Sequence, residues 1–255
     1  MKFKNTIRFI DCGANIGQSI EWASRTFKDY NLNIDSFEPN SDLYDLLKDK
    51  FSTKKNLTLH KTAVSIENSE KDLYLQNWGA KTGSSLILGK ESTFKKVYVC
   101  GKLVIDDNDE IKEIYNKDGS EIDNWVVRLS RSAELEINEK LNLYDKIKVK
   151  TIDLLEWILK NCNPEKETII LKLDVEGAEY EILPAMFNKG FQNFIDVWLI
   201  EFTQPSKFEG IFENSIDQNL EEKTKLLVDH YFDWSKPKEC EKIFANFMNK
   251  IENNH

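Results

Sequence analysis

Cysteine is scarce in this chain of 255 residues, and its 35 basic residues are outnumbered by 44 acidic ones. The four cysteines are Cys12, Cys100, Cys162 and Cys240. They form no C-x-x-C pair and have no histidine at metal-ligand spacing, which argues against a zinc site, and no metal ligands are assigned. Isolated thiols are typical of a reduced, cytoplasmic protein. The net charge of −9 provides no basic field for a phosphate backbone, so nucleic acid is not an expected partner.

Long apolar runs are also missing. Nothing in the chain approaches the about 20 apolar residues that a membrane-spanning helix needs, so no membrane span is expected. The opening segment, MKFKNTIRFI, has too short an apolar stretch for a secretory signal and no small-residue cleavage pattern. Both absences favour a cytoplasmic location.

The apolar residues that are present are enough for one large core. They make up 40% of the chain and include 15 Phe, 8 Tyr and 6 Trp. We expect a single domain over residues 1–248, with a frayed polar tail at 249–255. The charged, weakly periodic stretch at about 86–145 predicts an insertion, which could be a lid, a substrate-binding element or a contact in a homodimer.

Strand-like and helix-like segments alternate along the chain. Residues 7–12 predict a buried parallel strand and residues 17–28 an amphipathic helix, followed by a strand at 33–37 and a helix that begins near Ser41. This order is typical of a βαβ unit in an α/β fold. Further strands are predicted in LTLH, KIKVK, ETIILKL and DVWLIEF, and β-hairpins are predicted over 70–105.

A glycine-rich turn, within FIDCGANIGQSI, joins the first strand to the first helix. Such turns bring the backbone close to a ligand, and a dinucleotide turn needs glycine where this chain has Asn15. Gly13 and Gly17 flank that position, and Glu38 follows 21 residues after Gly17, where a carboxylate can accept hydrogen bonds from both ribose hydroxyls. The pattern favours a nucleoside with a charged tail. The alternative is that the glycines only allow tight packing and that Glu38 is a solvated strand end.

A second acidic stretch runs through IILKLDVEGAEYEIL. Asp174 and Glu176 would lie on one side of the chain if the extended conformation continued, because strand side chains repeat every two residues. Two such carboxylates could accept a proton from a hydroxyl, attract a cation or hold a divalent metal. Glu179 lies in the first turn of the next helix, where the helix dipole favours negative charge.

Four other residues are weaker candidates. Glu201 ends the strand in DVWLIEF and is therefore a further acid at a strand terminus. Lys172, in mid-strand, is expected to pair with a neighbouring acid. His60 and His230 are candidate general bases by chemistry alone, since their spacing identifies no partner.

Four segments, FIDCGANIGQS, SFEPN, TAVS and LKLDVEGAEYEIL, resemble in order and separation the FkbM family of S-adenosylmethionine-dependent methyltransferases. K-x-D-V-E-G-A-E is the most specific of them, whereas the glycine turn alone would indicate only the wider class I methyltransferase group. The resemblance covers about 7–65 and 147–202. It implies a Rossmann-like, three-layer α/β fold with a seven-stranded, mostly parallel sheet whose last strand is antiparallel.

The resemblance also implies S-adenosyl-L-methionine as cofactor and a role for each matched residue. The implied cofactor-binding residues are Asp11, Gly13, Asn15 and Gly17 around the methionine part, Glu38, Pro39 and Asn40 at the ribose, and Ala63 and Val64 near the adenine. The implied catalytic residues are Asp174 and Glu176, with Glu201 as a further acid. The candidate substrate-binding residues are Ser84 and Ser85 at the mouth of the site, and Arg128 and Arg131 in the insertion.

Because members of this family act mainly on sugar hydroxyls, the resemblance implies O-methylation in a surface polysaccharide, a glycolipid or a nucleotide-sugar precursor. A close alternative is methylation of a small phosphorylated or phosphoramidate precursor that decorates a capsule. An NAD-binding oxidoreductase is a third possibility, although the missing middle glycine argues against it. A fourth is a non-catalytic scaffold that binds the cofactor.

Overall fold

The computed structural model describes residues 3–75, 84–87, 145–203, 230–231 and 237–253. The strands are β1 (Thr6–Cys12), β2 (Asn31–Phe37), β3 (Leu57–His60), β4 (Ala63–Ser65), β5 (Ser69–Tyr74), β6 (Lys146–Asp153), β7 (Glu167–Leu173), β8 (Val197–Ile200) and β9 (His230–Tyr231). The helices are α1 (Gln18–Thr26), α2 (Ser41–Lys50), α3 (Leu154–Asn161), α4 (Glu179–Asn188) and α5 (Pro237–Asn253), with a 3-10 turn at Phe191–Asn193. Within this part of the chain, no helix is long and apolar enough to span a bilayer.

The described strands form two sheets. The first has the order β3-β2-β1-β7-β8-β9, with every neighbouring pair parallel, and its β9 is only two residues long. The second has the order β4-β6-β5, with β5 antiparallel to β6. The expected α/β fold with a mostly parallel sheet is therefore confirmed, but the prediction of one seven-stranded sheet is wrong. The described part of the first sheet contains no antiparallel strand.

The difference between β7 and β6 explains the division into two sheets. Every residue of β7 is buried, as a parallel strand covered on both faces requires. In β6 the exposed Lys146, Lys148 and Lys150 alternate with more buried residues, so one face of the strand meets solvent. A central position in the first sheet would bury those three lysines, and β6 pairs instead with β4 and β5.

Helices cover both faces of the first sheet. On one face α3 and α4 pack against side chains such as Ile10 and Leu171, and on the other α1 and α5 pack against side chains such as Phe9 and Ile170. The helix predicted near Ser41 is confirmed, and the Asn40 side chain caps it by accepting a hydrogen bond from the Asp42 N–H. The last helix continues to Asn253, beyond the start of the tail that the sequence predicts at 249.

The turn after β1 approaches the backbone after β7 very closely. Gly13 has a φ of 84°, and a Cβ added there would lie 1.9 Å from the carbonyl oxygen of Asp174. The Asp174 N–H donates to the carbonyl of Cys12 at 3.2 Å, so neither backbone segment can move away without loss of pairing between the two strands. Gly13 is therefore required by packing as well as by conformation.

We expect Gly13→Ala to lower the free energy of unfolding by about 3 kcal/mol or more, because the added methyl group collides with backbone. Gly190→Ala is the matched control, since Gly190 has a φ of 79° but nothing lies within 4 Å of its added Cβ. Its cost should be about 1 kcal/mol, from the left-handed backbone alone. Urea denaturation of both variants measures the difference, and equal losses would contradict the packing argument.

Candidate active site

A cleft opens where β1, β2, β7 and β8 end, which is the edge of an open parallel sheet at which ligands bind. The sequence-predicted residues that line it are Gly13, Asn15, Glu38, Pro39, Asn40, Ala63, Val64, Ser84, Asp174, Glu176 and Glu201. The lining residues that the sequence did not single out for a site include Ala14, Gln18, Ser19, Leu43, Leu73 and Leu86. The fold therefore brings together two distant segments that sequence patterns identified separately.

Three predicted residues lie near the cleft without lining it. Asp11 is fully buried and accepts hydrogen bonds from the hydroxyls of Ser19 and Ser36 at 2.8 and 2.9 Å. Gly17 is the N-cap of α1, and a Cβ added there would lie 2.5 Å from the Phe51 ring. Asp11 and Gly17 therefore support the glycine-rich turn and do not line the cleft.

Ser85 is the third of these residues. It is fully buried, and its hydroxyl donates to the carbonyl oxygen of Glu176 at 2.7 Å. Arg128 and Arg131 lie outside the described residues.

The N–H groups of Gly13, Ala14 and Asn15 in the glycine turn donate hydrogen bonds to acceptors within the protein. Gly13 and Ala14 both donate to the carbonyl of Phe37, at 3.1 and 3.0 Å. The Asn15 N–H donates to a carboxylate oxygen of Glu38 at 2.8 Å. A pyrophosphate cradle needs such donors pointing at the ligand, so this turn is not arranged for a dinucleotide.

Asn15 itself has a φ of 52°, in the left-handed region that few residues other than glycine and asparagine adopt readily. Its side-chain oxygen is buried and has no hydrogen-bond partner within the described part of the chain. A buried acceptor without a donor is costly, so a donor from a bound water or a ligand would stabilise this position.

Glu38 is held at both carboxylate oxygens. One accepts the Asn15 N–H and the other accepts the Asn40 N–H, at 2.8 and 2.9 Å. Glu38 is 5% exposed, and this burial raises the pKa of its carboxyl group to about 7, although both amides favour the ionised form. Each oxygen keeps capacity to accept one further hydrogen bond on the side of the cleft.

Lys172 lies between two acids and confirms the expected pairing. Its ammonium nitrogen is 3.4 Å from Asp11 Oδ1 and 3.2 Å from Asp174 Oδ2, and it also donates to the carbonyls of Cys12 and Gly13. Burial opposes this charge, but the carboxylates of Asp174 and Asp11 outweigh it and keep the pKa of Lys172 above its usual value. The positive charge of Lys172 is thus largely matched within the protein.

The extended conformation ends at Leu173, so the predicted reason for bringing Asp174 and Glu176 together is wrong. Glu176 instead has a left-handed backbone with a φ of 54°. Both side chains nevertheless line the cleft, because the turn redirects the chain toward its mouth. One carboxylate oxygen of Glu176 lies 3.5 Å from the Thr203 hydroxyl.

His60 does not line the cleft. Its Nε2 lies 3.0 Å from an Asp35 carboxylate oxygen, and its ring stacks on Phe37 with a centroid distance of 4.5 Å. These contacts give His60 a structural role. His230 lies in β9, and its side chain is outside the described part.

Among the residues that the structure describes, no three His, Cys, Asp or Glu side chains are grouped so that they could hold a metal ion.

Comparison with known proteins identifies the family of this chain. A family model described as the methyltransferase FkbM domain matches residues 11–227. The crystal structure of Methyltransferase FkbM from Methylobacillus flagellatus KT shares 12% identity with a TM-score of 0.37; the match covers 76% of this chain and 32% of that one. This chain thus spans about a third of that protein's length, and no curated protein matches it. Because the family model covers most of the sequence, the chain belongs to the FkbM methyltransferase family.

Proposed function

We propose that the protein transfers a methyl group from S-adenosyl-L-methionine to a sugar hydroxyl in a surface polysaccharide, a glycolipid or a nucleotide-sugar precursor. The proposal is carried by one observation, that two separate sets of acidic residues line the same cleft. We call these two sets the walls of the cleft. One wall presents the anchored carboxylate of Glu38, and the other presents Asp174, Glu176 and Glu201. Membership of the family supports methyl transfer, and the two walls suit a cationic cofactor and a hydroxyl that loses a proton.

The cofactor fits the charge and the donors of the first wall. S-adenosyl-L-methionine carries a sulfonium and an ammonium group, and the described lining contains more carboxylates than cations. Glu38 would accept hydrogen bonds from the ribose hydroxyls, with Pro39 and Asn40 beside it. The buried Ala63 and Val64 on β4 would flank the adenine.

The same features argue against a dinucleotide. Gly13, Ala14 and Asn15 already donate their N–H groups within the protein, so a pyrophosphate would find few donors in the turn. Its negative charge would also face the acids of the opposite wall. The methyl donor is therefore favoured over NAD.

When bound, the cofactor supplies an electrophilic methyl group. The chain must align an acceptor oxygen with it, exclude water and accept the hydroxyl proton as the new bond forms. Protonation of Asp174 would sacrifice its ion pair with Lys172, and Glu176 lines the cleft with a carboxylate oxygen 3.5 Å from the Thr203 hydroxyl. We therefore assign the general base to Glu176, fixed negative charge to Asp174, and a supporting role to Glu201.

A neutral sugar at the reacting position is favoured over a small phosphate or phosphoramidate acceptor. Lys172 is the cation that lines the described part of the cleft, and its charge is engaged by Asp11 and Asp174. Arg128 and Arg131 are retained as candidate phosphate ligands only for the alternative function. Ser84, on the lining, is proposed to contact the acceptor.

The proposal is tested by incubating the protein with deuterated-methyl S-adenosylmethionine and an extract of glycans and sugar nucleotides. Mass spectrometry should find the label in a sugar, while label in a phosphate ester would favour the alternative substrate. Calorimetry with S-adenosylhomocysteine and with NADH separates the two cofactor hypotheses. Binding of S-adenosylhomocysteine without any labelled product would favour the non-catalytic scaffold.

The raised pKa of Glu38 predicts pH-dependent cofactor binding. Ribose hydroxyls donate to the ionised carboxylate, so binding must release the proton that Glu38 holds below its pKa of about 7. The affinity for S-adenosylhomocysteine should therefore rise about tenfold per pH unit toward pH 7 and level off above it. Calorimetry between pH 5.5 and 8.5, in buffers of different ionisation enthalpy, measures both the affinity and the released proton.

Glu38→Gln is the control, because it keeps the side-chain size and removes the titrating group. This variant should bind more weakly at neutral pH and lose the steep pH dependence. A wild-type affinity that is flat from pH 5.5 to 8.5 would contradict the assigned role of Glu38.

Glu176→Gln should separate catalysis from binding. It removes the proposed base while keeping shape, and we expect turnover to fall about 100-fold or more. Affinity for S-adenosylhomocysteine should stay close to wild type. Asp174→Asn is the comparison, and it should weaken binding as well because it breaks the ion pair with Lys172. A Glu176→Gln protein with full turnover would refute the assignment.

A further inference from the structure

A fully buried carboxylate, that of Glu179, joins the two loops that carry the candidate catalytic acids. Its Oε2 accepts the Gly177 N–H at 2.8 Å, and its Oε1 accepts the Thr203 N–H at 2.6 Å. Gly177 directly follows Glu176, and Thr203 lies two residues after Glu201. One side chain therefore fixes the separation of the loop after β7 from the loop after β8.

The next residue along the chain strengthens the same link. The Tyr180 hydroxyl donates to the carbonyl oxygen of Thr203 at 2.7 Å. The N–H and the carbonyl of Thr203 are thus both held by the first turn of α4. The Thr203 hydroxyl, placed in this way, lies 3.5 Å from a carboxylate oxygen of Glu176.

The peptide bond between Glu176 and Gly177 is held on both sides. Its carbonyl accepts the Ser85 hydroxyl at 2.7 Å, and its N–H donates to Glu179. Both residues have a left-handed backbone, with φ values of 54° and 110°. A non-glycine residue in that region costs about 1 kcal/mol or more and persists where the surroundings hold it in place.

Stabilising a helix dipole does not require such burial. An exposed acid in the first turn of α4 would serve the dipole equally well, and burial raises the pKa of Glu179 to about 7, which shows that the carboxylate is disfavoured there. Acids held in this way are concentrated at functional sites. The expectation that Glu179 serves the dipole is therefore incomplete.

We propose that Glu179, Tyr180 and Thr203 form a positioning group that aims the Glu176 carboxylate at the acceptor hydroxyl. The inference rests on the proposed function, since it assigns these residues to the geometry of the proposed base. None of the three needs to touch the cofactor. Their loss should lower kcat while the affinity for the cofactor product is retained.

Tyr180→Phe and Thr203→Val test the group with little change of shape. The first removes the hydroxyl that holds the Thr203 carbonyl, and the second removes the hydroxyl near Glu176. Each should lower kcat roughly three- to tenfold, the range expected from loss of one hydrogen bond. The dissociation constant for S-adenosylhomocysteine should change by less than about twofold, and thermal midpoints should stay near wild type.

Thr203→Ser keeps the hydroxyl and should recover most of the rate that Thr203→Val loses. Tyr30→Phe is the remote control, because Tyr30 packs against Phe3 and Phe27 at a distant part of the fold. A Thr203→Val protein with wild-type kcat would overturn the proposal. Parallel losses of kcat and of S-adenosylhomocysteine affinity would overturn it too, since they indicate general damage to the cleft.

Hydrogen exchange separates this inference from the proposed function. In Glu179→Gln, an amide group would face one of the two backbone N–H groups, so exchange at Gly177 or Thr203 should become faster in the protein without ligand. This readout needs no acceptor. Unchanged exchange at both positions would overturn the positioning group itself. A wild-type protein that transfers no methyl group, with faster exchange in the variant, would overturn the proposed function and leave only the link between the two loops.

Discussion

The candidate site depends on the two ion pairs of Lys172, because its ammonium group joins the ends of β1 and β7 through Asp11 and Asp174. The strand register explains its position, since Asp11 pairs with Lys172 on one side and with Ser36 on the other. All three side chains therefore lie in one row on one face of the sheet. A charge buried to this degree is tolerated only where acids compensate it, and here the acids belong to the two segments that form the cleft.

The same ion pairs bear on the ligand charge that suits the proposed site. Lys172 also donates to the carbonyls of Cys12 and Gly13, so an internal cation occupies the underside of the glycine turn. The amides of that turn are directed at Phe37 and Glu38. A turn with engaged amides and a matched lysine offers little to a phosphate. It leaves an acidic cleft that suits a sulfonium compound.

Sequence patterns predicted the parts of the site that depend on strand order. Gly13, Glu38 and Asp174 each follow a buried strand, and parallel strands end at one edge, so their meeting follows from the βαβ pattern. Side-chain networks were not predictable in this way. The left-handed backbone of Glu176 has no signal apart from the glycine after it, and the bridge from Glu179 to Thr203 spans segments whose contact depends on the finished fold.

The second sheet is absent from the predicted fold, although the sequence of β6 contains a pattern that indicates it. The lysines at alternate positions of β6 already indicated a strand with one solvated face. The family resemblance implies a single sheet, whereas the alternation in β6 predicts a strand outside the centre of such a sheet. Strand β7 shows the contrast, because every one of its residues is buried, including Lys172.

Two buried glutamates of the candidate site, Glu38 and Glu179, show what the site costs the fold. Their pKa values, about 7, lie above the ordinary value of 4.5, so the native state binds more protons than the unfolded chain between those pH values. Stability therefore falls as pH rises through that window and is flat above it, by about 3 kcal/mol for each carboxyl. Glu38 faces the cleft, where ribose hydroxyls would offset its share. Glu179 lies outside the lining of the cleft, so no ribose would offset its cost. Its burial instead fixes the backbone at Gly177 and Thr203 through two hydrogen bonds.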